Sequence, residues 1–323
     1  MKKLAPIFIS CLVILPQLSN GQLINLNGRW KFALGDQQSW SLKEFDDSDW
    51  ETIRVPSPWE NQGFHGYDGF AWYRTTFNGS NLPTNSNLFL NMGYVDDADE
   101  VYLNGQLIGF SGSMPPNYQS AYNTERKYII PQNLINFKGE NTIAVRVFDA
   151  TLGGGIMDGR IGIYRVSSGS PMLLDLRGIW EFSISIKGGK PVEESEWDKI
   201  NVPGFWEKEG YRRYDGYAWY RKNFDFTADM EGEQLLLVLG KIDDFDEVYV
   251  NGKFIGRTRD NRHFPHSKSY SEYRIYYLPS TILKKNGPNL IEVQVEDIGI
   301  DGGIYEGPIG ITTKDRLYQL INK

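Results

Sequence analysis

The sequence predicts an all-β chain built as two tandem jelly-roll β-sandwiches. Three observations lead there. An internal repeat runs through nearly the whole chain, an Asn-Gly turn flanked by apolar residues stands at the same place in each copy, and strand-like alternation recurs while no segment sustains a helical period. The repeat is explicit. Leu26-Asn27-Gly28-Arg29-Trp30-Lys31-Phe32 returns as Leu176-Arg177-Gly178-Ile179-Trp180-Glu181-Phe182, an offset of 150 residues. Val55-Pro56 with Trp59-Glu60 returns as Val202-Pro203 with Trp206-Glu207, and YDGFAWYR from Tyr67 returns as YDGYAWYR from Tyr214. Two copies of one fold follow, each of a size that suits a single sandwich.

The elements can be taken in order. Lys2 and Lys3 precede an apolar run from Leu4 to Leu15, then Pro16 and small polar residues. That is the pattern of a secretory leader, expected to be residues 1–21 with cleavage before Gln22, and the run is too short to span a bilayer. The only cysteine, Cys11, falls inside it and makes a poor lipidation site. The first sandwich is expected over 22–166, a linker over 167–171, the second sandwich over 172–315 and a tail over 316–323. Within a copy, Val101-Tyr102-Leu103, Asn104-Gly105 and Gln106 to Gly109 read as a hairpin with a two-residue turn. Its counterpart surrounds Asn251-Gly252. Thr142 to Phe148 and Leu290 to Glu296 alternate as half-buried strands, and Leu235 to Leu239 is a fully apolar one.

Composition narrows the function. Of 323 residues, 41 are Asp or Glu and 34 are Lys or Arg, a net charge of −7, so no basic surplus exists to bind nucleic acid. A mean hydropathy of −0.44 excludes a multi-span membrane protein. A mature chain without cysteine, carrying a leader, fits the bacterial periplasm or cell envelope.

The motifs VP..WE, GYDG.AWYR, VDDADEVYLNG..IG and the closing GGI..G.IGI resemble the N-terminal sugar-binding sandwich of family 2 glycoside hydrolases of the β-galactosidase type. The second copy, VPGFWEKEG…YDGYAWYR…IDDFDEVYVNGKFIG, also resembles the accessory sandwich of bacterial sialate O-acetylesterases. Both belong to the galactose-binding-domain-like fold. The resemblance implies a sugar site on the loops that precede and follow the central strands. The matching positions are His65, Tyr67, Asp68, Asp149 and Asp158 in the first copy, and Arg212, Tyr214, Asp215, Asp297, Asp301 and Glu306 in the second. Aromatic faces beside carboxylates and arginine are what a sugar ring with its hydroxyls requires. The catalytic barrel of the hydrolases, on the order of 250 residues, has no room here, and the Ser-His domain of the esterases has no matching motif.

Two carboxylate-rich clusters remain: Asp96, Asp97, Asp99 and Glu100, and Asp243, Asp244, Asp246 and Glu247. Placed just before a hairpin, they read as turn-capping residues, with Arg74 and Arg221 as charge partners. Their oxygens would suit a structural calcium ion, but the spacing matches no defined calcium loop. His263 and His266 lack a third ligand, so no metal and no cofactor is expected beyond such an ion. The basic run from Arg257 to Lys268, uncharged at the matching place in the first copy, suits either an acidic sugar or a solvated loop. The expected function is a non-catalytic, exported carbohydrate-binding protein whose partner is a glycan or oligosaccharide. The alternatives are a docking module for a separate carbohydrate-active enzyme and a glycoside-cleaving site between the copies.

Overall fold

A computed structural model describes residues 21–84, 86–165, 172–185, 188–191, 193–194, 197–259 and 268–321. The leader before Gly21, Cys11, the linker 167–171 and the His263/His266 pair lie outside the described residues. The two copies form two β-sandwiches, as expected. Each consists of a six-stranded antiparallel sheet facing a smaller antiparallel one.

In the first copy the larger sheet contains β2 (Gly28–Leu34), β3 (Glu51–Val55), β4 (Gly69–Asn78), β6 (Ala98–Leu103), β7 (Gln106–Ser111) and β9 (Glu140–Asp149), in the order β3-β2-β4-β9-β6-β7. The smaller sheet is built on β5 (Leu88–Asp96). One edge of β5 pairs with β8 (Glu125–Ile130), and the other with β10 (Gly155–Asp158) and β11 (Gly162–Arg165). The strand β1 (Gln22–Asn25) then joins β11. The second copy repeats the plan: β14 (Asp198–Val202), β13 (Gly178–Ser185), β15 (Gly216–Phe224), β20 (Asn289–Asp297), β17 (Phe245–Val250) and β18 (Lys253–Thr258) form the larger sheet. The facing sheet runs β12 (Leu174–Asp175), β21 (Gly303–Thr313), β16 (Leu235–Asp243), β19 (Tyr273–Leu278).

Alternation decides what each face holds. Along β9, Ile143, Val145 and Val147 point into the core between the sheets, while Arg146 turns outward over the Phe70 ring. Trp72 and Arg74 share one face of β4 and Tyr73 takes the other. It is Tyr73 that enters the main core beside Phe32 and Trp59. Trp72 is also fully buried, but on the outer face, roofed by the segment carrying Trp40, Phe45 and Trp50. Arg74 lies under the same roof, and its partners are Asp47 at 2.7 Å and the carbonyls of Trp40 and Leu42. The expected pairing of Arg74 with the Asp96–Glu100 cluster is therefore corrected. Arg221 likewise pairs with Glu181 and Glu194 instead.

The Asn-Gly turns form as predicted, with Asn104 and Gly105 at φ 49° and 85°. Asn104 also binds across to β9: its Nδ2 donates to the Leu134 carbonyl and to Asn141, and its Oδ1 accepts from the Thr142 amide. Asn251 repeats this pattern on Ile282, Asn289 and Leu290. Among the described residues, one α-helix departs from the all-β expectation. α1 (Lys314–Ile321) follows β21 and buries Leu317 against Met172 and Val238. A helix of this length stands by packing.

The real partner of the acidic motif is Arg126 on β8. Its Nε donates to Asp99 Oδ1 at 2.7 Å with both side chains fully buried, and its remaining groups donate to the carbonyls of Ala121, Thr124 and Asp97. Tyr128 donates to the other Asp99 oxygen at 2.6 Å. Arg274, Asp246 and Tyr276 repeat the set. Removing one member of a buried pair leaves a charge without compensation. Arg126→Met is therefore expected to destabilise the first sandwich by about 3–5 kcal/mol. Urea unfolding followed by tryptophan fluorescence checks this: an unchanged midpoint for the first sandwich would refute it.

Candidate functional site

The loops after β5 and β9 meet at one end of each sandwich. There Asp96, Asp97 and Asp149 bring carboxylate oxygens within 4.8 Å of one another, and Asp243, Asp244 and Asp297 do the same in the second copy. Backbone amides fix part of each group. Asp97 Oδ2 accepts from the Ala150 amide at 3.0 Å and its Oδ1 from the Ser120 hydroxyl, the turn-capping role expected of it. Asp149 is fully buried; its Oδ1 accepts from Thr151 at 3.3 Å and its Oδ2 accepts no hydrogen bond. Glu60, from the repeated Trp-Glu pair, holds the Gly154 amide beside it with both oxygens, at 3.1 and 3.2 Å.

Burial pushes Asp149 up to about 7, and the negative charges of Asp97, Asp68 and Glu60 add to the shift. Asp96 rises to about 7 by burial and its contact with Asp97. In the second copy burial lifts Asp297 to about 7, helped by Asp215, Asp244 and Glu207, and Asp243 to about 8. The negative charges of Asp68 and Asp215 are thus felt at Asp149 and Asp297. The charge of Asp301 adds to the shift of Asp243.

The other residues expected at a sugar site are placed differently. His65, Asp158 and Arg212 are exposed. Tyr67 packs edge-on against Trp59 and donates its hydroxyl to the Phe70 carbonyl at 2.7 Å, and Tyr214 does the same with Trp206 and Tyr217. Glu306 pairs with Lys241 at 2.9 Å on the neighbouring strand. Asp158 and Glu306 occupy matching bulges: a Cβ on Gly93 would meet the Asp158 carbonyl at 2.0 Å, and one on Gly240 the Glu306 carbonyl at 1.8 Å.

A second concavity, about 850 Å³, opens where the copies abut. None of the residues expected from the sequence lines it. Its walls carry Phe110, Asn123 and Lys127 from the first copy and Asn201, Phe205 and Tyr305 from the second. Asn201 donates to the Phe110 carbonyl at 2.8 Å across the joint. Phe205 and Tyr305 stack at 4.8 Å with their planes 10° apart, and Lys208 lies over Phe205. The sequence signal for this site was faint, because these residues differ between the copies.

Comparison with known families settles the lineage. The model of the β-galactosidase second all-β domain matches residues 34–152 and again 190–301, once in each copy. The chain belongs to this family. Each repeat is thus one such family domain, and the resemblance to β-galactosidase-type sandwiches holds. A curated relative, a putative β-glucuronidase of Formosa agariphila, is 33% identical over 135 residues. That match takes in 38% of this chain and 12% of the relative's length. Among solved structures, a Bacteroides uniformis β-glucuronidase aligns at 19% identity and TM-score 0.38 over 78% of this chain and 27% of its own. A Bacteroides vulgatus β-glycosidase aligns at 16% and 0.34, over 85% and 29%. The chain spans about a quarter of these structures' length. Among the described residues no helix is long and apolar enough to cross a membrane.

Glu209 lines the joint and stands where the first copy has Gln62, whose amide binds both backbone groups of Arg54. With an acid in the amide's place and only Asn201 bonding it, burial lifts Glu209 to about 8. Between about 4.5 and 8 the folded chain keeps a proton that the unfolded chain releases, so this group lowers stability as pH rises through that window. Glu209→Gln is expected to flatten the decline. Melting temperatures of both proteins at pH 5 and pH 8 check it, and parallel declines would refute it.

Proposed function

We propose that this chain is a non-catalytic carbohydrate-binding accessory module, exported to the bacterial envelope, that serves polysaccharide or glycan breakdown. The observation that carries the reading is the cleft between the two family domains. Its stacked Phe205 and Tyr305 rings offer apolar surface for the C–H face of a sugar, while Asn123 and Lys208 supply hydrogen-bond donors. Its volume suits an oligosaccharide of a few residues. The crevice residues Asp68, Asp149, Asp215, Asp297 and Asp301, with His65, Tyr67, Asp158, Arg212, Tyr214 and Glu306 around them, are the alternative sugar contact. The names of the family and of the curated relative, β-galactosidase and putative β-glucuronidase, suggest β-linked hexose or uronate polymers as ligands.

One observation favours docking to a separate carbohydrate-active enzyme as the second reading. On β19, Tyr273, Ile275 and Tyr277 are 50%, 36% and 59% exposed along one face. The matching residues of β8, Glu125, Lys127 and Ile129, line the joint with the second copy. An apolar stripe at the place the fold already uses for packing against a neighbour suits a protein partner.

A glycan array followed by calorimetric titration of the hits tests both. Tyr305→Ala and Asn123→Ala are each expected to weaken binding about tenfold, the loss of roughly 1–2 kcal/mol of stacking or hydrogen bonding. Loss in Tyr214→Ala or Asp215→Ala alone would move the sugar to the crevice. A blank array from folded protein, with enzyme binding abolished by Tyr277→Ala, would establish docking instead.

A further inference from the structure

The acidic crevice has no use in the cleft reading, yet both copies build it alike. Three carboxylates converge with oxygens within 4.8 Å. Calcium holds oxygens at 2.3–2.6 Å, so two ligands on opposite sides of one ion lie about 4.6–5.2 Å apart. A single ion can therefore reach all three groups with little rearrangement. Within each group, Asp149 Oδ2 and Asp297 Oδ2 accept no hydrogen bond, although their residues are 0% and 2% exposed. A buried carboxylate oxygen without a donor is costly unless something else supplies positive charge.

The surroundings supply little of it: the charge of Arg126 reaches Asp96. The charges acting on Asp149 are those of Asp97, Asp68 and Glu60, and on Asp297 those of Asp215, Asp244 and Glu207. The guanidinium groups of Arg126 and Arg274 are bonded to Asp99 and Asp246 and to backbone carbonyls. The Asp97 and Asp149 side chains are oriented by the Ala150 and Thr151 amides, so the cluster is preorganised. In the second copy the Ile298 and Gly299 amides hold Asp244 and Asp297 in the same way.

We infer that each sandwich binds one hard divalent cation of the calcium class: one ion on Asp96, Asp97 and Asp149, the other on Asp243, Asp244 and Asp297. All-oxygen donors without nitrogen or sulfur select calcium over zinc or copper. The ion joins the loop after β5 to the loop after β9, locking the end of each sandwich. This inference is independent of where a glycan binds.

The full chain, stripped with EGTA and exchanged into metal-free buffer, is titrated with CaCl₂ in a calorimeter and with Tb³⁺ by luminescence. Trp59 and Trp206 are natural sensitisers: a Cβ on Gly154 would touch both the Trp59 ring at 2.2 Å and Asp149 Oδ2 at 2.7 Å. Two ions per chain are expected, one for each cluster, with calcium displacing terbium. Asp149→Asn and Asp297→Asn, near-isosteric and checked for folding by circular dichroism, are each expected to remove one ion, and the double variant both. At the remaining site affinity should change less than twofold. No calcium heat and no terbium signal up to about 10 mM, an order above the weak end of calcium modules, would overturn the inference. Binding that survives both substitutions would overturn it too, since it would then belong to scattered surface carboxylates.

Discussion

The buried Arg126–Asp99 pair and its copy, Arg274–Asp246, is the constraint on which each sandwich end depends. Asp99 starts in the larger sheet, on β6, and Arg126 in the smaller, on β8, so the pair joins the two layers of the sandwich. The guanidinium also holds the Asp97 carbonyl at 3.0 Å, and thereby the loop that delivers the acidic crevice. Neither charge is tolerable alone in such a place, and together they are satisfied by hydrogen bonds on nearly every donor. Fold and crevice are thus set by one interaction.

The larger sheet provides the rigid frame and the loops provide the chemistry. Core residues from both sheets interlock around Trp30, Phe32, Trp59 and Tyr73 in the first copy, and around Trp180, Phe182, Trp206 and Tyr220 in the second. Small residues keep the packing close. A Cβ on Gly109 would meet the Tyr128 ring at 2.0 Å, and one on Gly256 the Tyr276 ring at 2.3 Å. Those tyrosines bind the same aspartates as the arginines, so the glycines of the hairpin strands are part of the ionic set.

Most of the fold was legible because the sequence states it twice. Repetition exposed strands, hairpins and the carboxylate motif, and the Asn104 and Asn251 turns formed where the dipeptide placed them. The site was less legible. Arg126 and Arg274 are themselves repeated, in Arg-x-Tyr on matching strands, and that spacing put both side chains on one face with the tyrosine. Arg74 was the more conspicuous arginine, but alternation sends it to the outer face of the larger sheet, away from Asp99. Glu60 and Glu207 were visible as a repeated pair with tryptophan, though nothing local revealed that they hold the Gly154 and Gly302 amides. The cleft depends on the residues at which the copies diverge, and a repeat search passes over those.

The joint between the copies is made from unlike surfaces of like domains: the β7–β8 side of the first meets the β13–β14 side of the second. Such a contact is heterologous, so no two-fold axis closes it and the same step could be taken again. The β18–β19 side of the second copy and the β2–β3 side of the first correspond to the two surfaces that meet in that joint. The duplication therefore has a direction, with a leading and a trailing end. Only divergence at residues such as Arg54, which stands where Asn201 spans the joint, makes the interior contact different from what either end offers.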